Sequence, residues 1–145
     1  MNTQNRSTIT VEAIIEAPVE KVWDFWNMPE HITKWNHASD DWHTPWAKND
    51  LRAGGTFVSR MEAKDGSFGF DFGGTYNEVK EHEHIAYTMG DGRRVEVYFS
   101  QNGPSTRVTE IFDPEDTNSR EMQQNGWQAI LNSFKKYAET QINNK

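Results

Sequence analysis

A chain of 145 residues with 15 basic and 22 acidic side chains, 34% hydrophobic and 12% aromatic residues and no cysteine has the size of one ordinary domain. Its formal charge of −7 repels phosphate backbones and argues against a nucleic-acid partner. The missing cysteines exclude disulfides, thiol catalysis and thiolate metal sites, and fit a cytoplasmic location. With no signal pattern and no apolar run near the ~20 residues of a membrane span, residues 1–145 read as a single domain with frayed ends at 1–7 and 143–145.

From Thr8 to Glu16 the chain reads TITVEAIIE. Ile9, Val11, Ala13 and Ile15 share one parity, the pattern of a half-buried strand. Ala17-Pro18 places proline at a helix start, and Val19, Val22, Trp23 and Trp26 follow at i, i+3, i+4, i+7, a helical stripe. Pro29 ends that helix and opens a second short one through Ile32 to Trp35. Asn36 to Asp50 has no period and reads as a long loop. Trp23, Trp26, Trp35, Trp42 and Trp46 all fall in or just before it. Large rings in a loop are hard to bury unless the loop folds over a cavity, so this segment is predicted to gate the mouth of a pocket.

Gly54-Gly55 precedes a strand at Thr56–Ala63. Asp65-Gly66, Asp91-Gly92 and Asn102-Gly103 punctuate further runs at Phe68–Val79, His84–Met89, Arg94–Ser100 and Thr106–Asp113. Asx-Gly between alternating runs is the strongest short hairpin signal, because glycine tolerates the positive φ of the turn. An antiparallel meander is expected, with a bulge or sharp bend at Gly73-Gly74. Asn118 with Glu121 resembles a capping box. Beyond it Gln123, Trp127, Ile130, Leu131, Phe134 and Ala138 share one side of a helix, opposite Lys135, Lys136 and Glu139. About 24 residues at ~1.5 Å each make a rod of ~36 Å, long enough to cross the domain. The expected fold is α+β: a curved six-stranded antiparallel sheet wrapped around a long C-terminal helix, with two short helices after the first strand.

The segments Ala17-Pro18-Val19-Glu20-Lys21-Val22-Trp23, Pro29-Glu30 with Trp35, Leu51-Arg52-Ala53-Gly54-Gly55-Thr56-Phe57, Gly74-Thr75-Tyr76-Asn77-Glu78-Val79 and Gly126-Trp127-Gln128-Ala129-Ile130-Leu131 occur in this order. Together they resemble the START-like (SRPBCC, helix-grip) superfamily, especially the branch related to the C-terminal domain of activators of the heat-shock protein 90 ATPase. The resemblance covers about residues 8–142 and implies the helix-grip fold. It implies no single function, since lipid carriers, hormone receptors, polyketide cyclases and co-chaperones share that fold; function has to be argued from the site.

Parity groups Phe68, Phe70 and Phe72 on one face, Ile85, Tyr87 and Met89 on another, and Val95, Val97 and Phe99 on a third. The expected lining of a cavity between sheet and helix is drawn from these: Phe70, Phe72, Tyr87, Val97 and Phe99, with Phe57, Tyr76 and Glu110 from neighbouring strands. The helix contributes Trp127, Ile130, Leu131 and Phe134, and Trp26, Trp35, Trp42 and Trp46 cover one end. The same rings would also serve a filled core, where each contributes about 4–6 kcal/mol as an upper bound.

Within Thr106–Asp113, Glu110 shares parity with Val108 and Phe112. If those point inward, Glu110 is a carboxyl among rings with a raised pKa, able to act as acid, base or ligand anchor. A register shifted by one residue turns Thr109 and Ile111 inward instead. Tyr76 and Tyr87 are the other candidates for acid–base chemistry. Asp71, flanked by Phe70 and Phe72, is expected to face solvent. His37, Asp40, Asp41 and His43 sit where no helix or hairpin fixes ligand spacing, and read as polar loop residues rather than a metal site. No catalytic nucleophile stands out and no cofactor is expected: there is no Gly-x-Ser-x-Gly elbow or triad spacing, and no P-loop or Gly-x-Gly-x-x-Gly before a helix.

Three functions follow as expectations. The first is binding, without catalysis, of a small apolar molecule of lipid-like or aromatic character between sheet and long helix. The second is a polyketide cyclase-like enzyme using Glu110, Tyr76 or Tyr87. The third, implied by the resemblance alone, is interaction with a chaperone. The sequence assigns neither the ligand nor the oligomeric state.

Overall fold

The structure, a computed structural model, describes residues 8–143. Frayed ends are expected at 1–7 and 143–145; residues 1–7, 144 and 145 lie outside the described residues, while Asn143 belongs to the last helix. Alternation produces β1 (Ile9–Ile15). Pro18 then serves as N-cap of α1 (Val19–Asn27), whose buried side carries Val19, Val22, Trp23 and Phe25. Pro29 begins α2 (Pro29–Trp35).

The segment expected as a loop instead contributes two short strands, β2 (Trp42–His43) and β3 (Ala47–Asn49). Both pair antiparallel with β4 (Thr56–Ala63): Trp42 lies opposite Ala63, and Ala47 opposite Ser59. Strands of two and three residues are too short to show a period, which is why the sequence does not announce them. The meander continues through β5 (Gly69–Lys80), β6 (His84–Met89), β7 (Arg94–Asn102) and β8 (Ser105–Phe112). The sheet therefore has eight strands rather than six, ordered β1-β8-β7-β6-β5-β4-β2 with β3 also on β4. It curls as a half-barrel.

Hairpin turns fall at the expected Asx-Gly pairs, with Gly66 at φ +80° and Gly92 at φ +93°. The expected bulge at Gly73-Gly74 is displaced. Those two residues pair regularly with Val58 and Phe57, and the register shifts between Tyr76 and Glu78, leaving Asn77 with no partner on β6. The glycines serve close approach instead: a Cβ on Gly73 would meet the Phe57 carbonyl oxygen at 2.3 Å, and one on Gly74 the Thr88 carbonyl oxygen at 2.4 Å.

α3 (Arg120–Asn143) is 24 residues long. Its cap is Ser119 rather than Asn118: Ser119 Oγ accepts the Met122 N–H at 3.1 Å, while Asn118 Nδ2 donates to Glu115 Oε2 at 2.6 Å. Ser119 and Asn118 are both good capping residues, so sequence alone misplaces the start by one. The helix also covers the free edge of β1. Gln124, Gln128 and Lys135 donate to the carbonyls of Thr10, Glu12 and Ile14 at 3.3, 3.1 and 2.6 Å. The three successive carbonyls of alternate residues that point to that edge are thereby satisfied, and strand addition there is blocked. Leu131, Phe134 and Ala138 are fully buried against the sheet and α1.

Candidate functional site

Sheet and long helix do not close completely on each other. Between them lies a cavity of about 300 Å³, at the lower end of ordinary small-molecule sites. Alternation along the strands supplies its walls: Phe57, Ser59 and Met61 from β4, Phe70, Phe72 and Tyr76 from β5, Ile85, Tyr87 and Met89 from β6, and Glu110 from β8. Trp127, Ile130 and Gln123 line it from α3. Trp26, Asn27, Ile32, Trp35 and Asn36 close one end, and Lys48 and Asn49 of β3 stand beside them. Phe70, 42% exposed, and the partly exposed Met89, Arg93 and Glu115 mark where the cavity meets solvent.

The rings are organised rather than merely gathered. Trp26 and Trp35 lie 5.0 Å apart at 30°, and each meets Phe134 edge-on at 4.9 Å. The Trp35 indole donates to the Phe25 carbonyl at 2.8 Å, which lets this ring sit 5% exposed with its N–H satisfied. Phe57 packs between Tyr76 at 5.1 Å and Tyr87 at 4.7 Å.

Polar groups are few and fall into two kinds. Some are tied down: Tyr76 Oη donates to Asn49 Oδ1 at 2.5 Å, Asn49 Nδ2 to the Asn27 carbonyl at 2.7 Å, and Asn27 Nδ2 to the Trp23 carbonyl at 3.0 Å. Gln123 is likewise committed to the Glu115 and Asn118 carbonyls at 3.1 and 2.9 Å. The others are not. Glu110 is 6% exposed, Val108 and Phe112 point inward beside it, and its carboxyl makes no hydrogen bond or ion pair with a described residue. Burial among apolar side chains pushes its pKa from 4.5 up to about 8, so it is a neutral acid at neutral pH. Tyr87, 7% exposed, also has no hydrogen-bond partner for its hydroxyl among the described residues; burial first, then the nearby Glu110, raises its pKa well above the usual phenol value. Burial raises the Tyr76 pKa as well.

Of the residues expected at the site, the structure brings ten to the cavity: Trp26, Trp35, Phe57, Phe70, Phe72, Tyr76, Tyr87, Glu110, Trp127 and Ile130. Val97, Phe99, Leu131 and Phe134 are packed in the core instead. Val97 is sealed between Ile85 and Glu110 on the neighbouring strands, and Phe99 packs on Trp23 at 5.1 Å. Trp42 and Trp46 also do not line the cavity. Pairing of β2 and β3 with β4 holds their segment on the sheet edge, where Trp42 contacts Phe68 and Phe70, and Trp46 is 43% exposed with Lys48 Nζ 5.7 Å from its ring centre. The expected gate of indoles is therefore absent among the described residues: two tryptophans are inside walls and two are outside.

Ser59 and Met61 line the cavity too and share parity with Phe57, and Gln123 is the one polar residue on the apolar helix stripe. Arg93 and Glu115 lie in irregular connections, where no periodicity points to them. His43 pairs with Glu62 at 3.7 Å, Asp71 with Arg60 at 3.2 Å on the solvent side, and His84 lies between Glu96 at 3.0 Å and Glu78 at 3.6 Å. No cluster of described side chains has a metal-holding arrangement, and no helix is long and apolar enough to cross a membrane.

A half-barrel gripping one long helix around a ring-lined hollow defines the START-like, helix-grip class. The profile of the family described as Activator of Hsp90 ATPase homolog 1-like protein matches residues 16–139, and the chain belongs to that family. It is 47% identical to an AHSA1-like protein from Aeromonas hydrophila over 92% of each chain, with a TM-score of 0.87. It is 56% identical to a Cytophaga hutchinsonii protein over 95% of this chain and 96% of that one, with a TM-score of 0.80. A Nitrosomonas europaea protein at 17% identity shares the fold over 97% and 99% of the chains, TM-score 0.81. No curated protein matches the chain.

Proposed function

We propose that this protein binds a small, mostly apolar molecule inside the cavity between the curled sheet and α3. One observation carries the reading: a hollow of about 300 Å³ walled by aromatic and aliphatic side chains that contains an unpartnered buried carboxyl. A side chain that serves folding alone would not be Glu at position 110, because burying a carboxyl without a partner destabilises the fold. Apolar walls with a few oriented polar groups are the usual make-up of a ligand site. The absence of cysteine supports placing this activity in the cytoplasm.

Trp26, Trp35 and Trp127 line the space, so tryptophan fluorescence reports occupancy directly. Titration with an environment-sensitive apolar dye and with uncharged lipid-like probes such as medium-chain fatty alcohols should give saturable changes at one site per chain. A flat response to all of them would overturn the reading.

The neutral Glu110 facing the same cavity as Tyr87 favours a second reading, an enzyme that uses Glu110 as a general acid or base on the bound molecule. Under it, Glu110→Gln abolishes turnover of polyketide-like substrates while leaving their binding intact. A chaperone partner is supported by the family description and by the exposed rings of Phe68 and Phe70 against Trp42, at 6.0 and 6.1 Å. Pull-down with the purified chain, compared with Phe68→Ser, tests it.

A further inference from the structure

Glu110 and Tyr87 project from the same curled sheet into the same cavity, two strands apart in the order β8-β7-β6 and offset by two residues along them, since Glu110 is in register with Val97 and Ile85 and Tyr87 with Val95 and Phe112, or about 12 Å between backbones. Both are more than nine-tenths buried and neither side-chain oxygen has a hydrogen-bond partner among the described residues. Buried polar atoms in folded proteins nearly always have partners, so two exceptions facing one hollow indicate what belongs there. We propose that the preferred occupant is an uncharged, largely aromatic molecule carrying a carbonyl oxygen, received by hydrogen bonds from the side chains of Glu110 and Tyr87. This inference rests on the binding reading above and specifies its ligand class.

The polarity of the site selects the acceptor. Burial keeps Glu110 protonated and Tyr87 un-ionised, so both offer O–H donors. Arg93, at the rim of the same cavity, adds only donors; the Glu110 carbonyl and Tyr87 hydroxyl oxygens can still accept, but an acceptor on the ligand can be met by both O–H groups at once. A cationic amine would need Glu110 to ionise against its desolvation, with a guanidinium on the same cavity wall. An anion finds no free positive charge at this end, because Arg93 Nε is already bound to Asp91 Oδ2 at 2.8 Å and the Glu115 carboxylate stands on the rim. A buried charge without a counter-charge is strongly disfavoured. An aromatic body follows from the walls. Phe57 meets Tyr87 at 78°, and Phe72 meets Trp127 at 78°; these edge-to-face arrangements extend readily to an inserted ring.

The other titratable groups lining the cavity are Tyr76 on β5, Arg93 after β6, Glu115 before α3 and Lys48 on β3. Lys48 stands at the β3–β4 end, five strands from β8. Only Glu110 among the acids is held neutral by burial, so it is the group whose ionisation would withdraw a donor as the pH rises.

Three probes of nearly one shape separate the possibilities: diphenylmethane, benzophenone and benzhydrylamine, which differ at the central carbon alone. Calorimetric or fluorescence titration of the full chain should show benzophenone binding at least about tenfold more tightly than diphenylmethane, with benzhydrylamine weakest. Glu110→Leu should erase the preference for benzophenone. Glu110→Gln, whose amide still donates, should keep most of it and should remove the loss of benzophenone affinity that the native protein shows as the pH passes about 8.

The comparison among probes on the native protein needs no variant and stands even if a variant folds poorly. Equal affinity for benzophenone and diphenylmethane, or preference for the amine, overturns the inference and leaves the binding reading intact. Failure of all three probes while the apolar dye binds also overturns only the inference. Failure of probes and dye together overturns both.

Discussion

Phe112 of β8 and Trp127 of α3 stack face to face, their ring centres 3.8 Å apart and their planes 12° from parallel. Phe112 is fully buried, two residues from Glu110, while Trp127 turns its other edge to Phe72 and the cavity. This pair fixes how far the long helix stands off the sheet beside the buried carboxyl, and so holds the hollow open. Phe112→Ala should lower stability by ~3–5 kcal/mol, the range for a large core ring, read by urea unfolding. Trp127→Phe, which keeps a ring against Phe112, should lose under ~2 kcal/mol. A loss for Trp127→Phe as large as for Phe112→Ala would mean the indole does more than stack.

Glu110 imposes a definite pH dependence on folding. Burial raises its pKa from 4.5 to about 8, so the folded protein keeps a proton that the unfolded chain releases. The stability this group contributes is full below pH 4.5, declines as the pH rises, and is lost above about 8. At pH 7 the decline amounts to about 3 kcal/mol. Glu110→Gln should flatten the curve between those limits, measured by denaturant unfolding at a series of pH values. Parallel curves for native and variant would show that Glu110 is solvated.

Glycine identity is required inside the sheet and dispensable in the helix. Gly74→Ala drives a Cβ to 2.4 Å from the Thr88 carbonyl oxygen and must displace backbone, so a loss of at least about 2 kcal/mol is expected. Gly126 in α3 has nothing within 4 Å of the new Cβ, and Gly126→Ala should add ~0.5–1 kcal/mol through helix propensity. Thermal unfolding of the two variants should shift in opposite directions.

The tryptophans divide by position. Trp127 lines the cavity and Trp42 and Trp46 do not. Replacing Trp42 and Trp46 together with Phe should leave the fluorescence response to an apolar ligand intact in size and midpoint. Trp127→Phe should remove a large share of it. The reverse pattern would place ligand on the β2–β4 edge.

Much of this arrangement was legible in the chain itself. Pro18 and Pro29 open helices because their missing N–H is harmless there, and Asx-Gly pairs force tight turns, so element order followed from local chemistry. Parity put Val108, Glu110 and Phe112 on one face, but which face became known only from tertiary structure, because a strand's two sides look alike until a helix covers one. The indole-rich stretch misled for a related reason. Trp42 and Trp46 are anchored by two- and three-residue strands that pair with β4, a long-range interaction with no local signature. The lining residues Val97 and Phe99 were over-assigned because alternation marks everything that faces inward and does not separate wall from filling. Arg93 and Glu115 sit in irregular connections, where no period exists to read.

The most direct test of a ligand-binding hollow is a ¹⁵N-resolved NMR titration of the full chain with benzophenone and with an apolar dye. The account predicts shifts for backbone amides at Ser59, Phe72, Tyr87, Glu110 and Ile130, on four strands and one helix that only the cavity brings together, with little change at Trp42, Phe68 or Tyr98. Shifts confined to the outer face or the β2 edge, or none at saturating ligand, would contradict it.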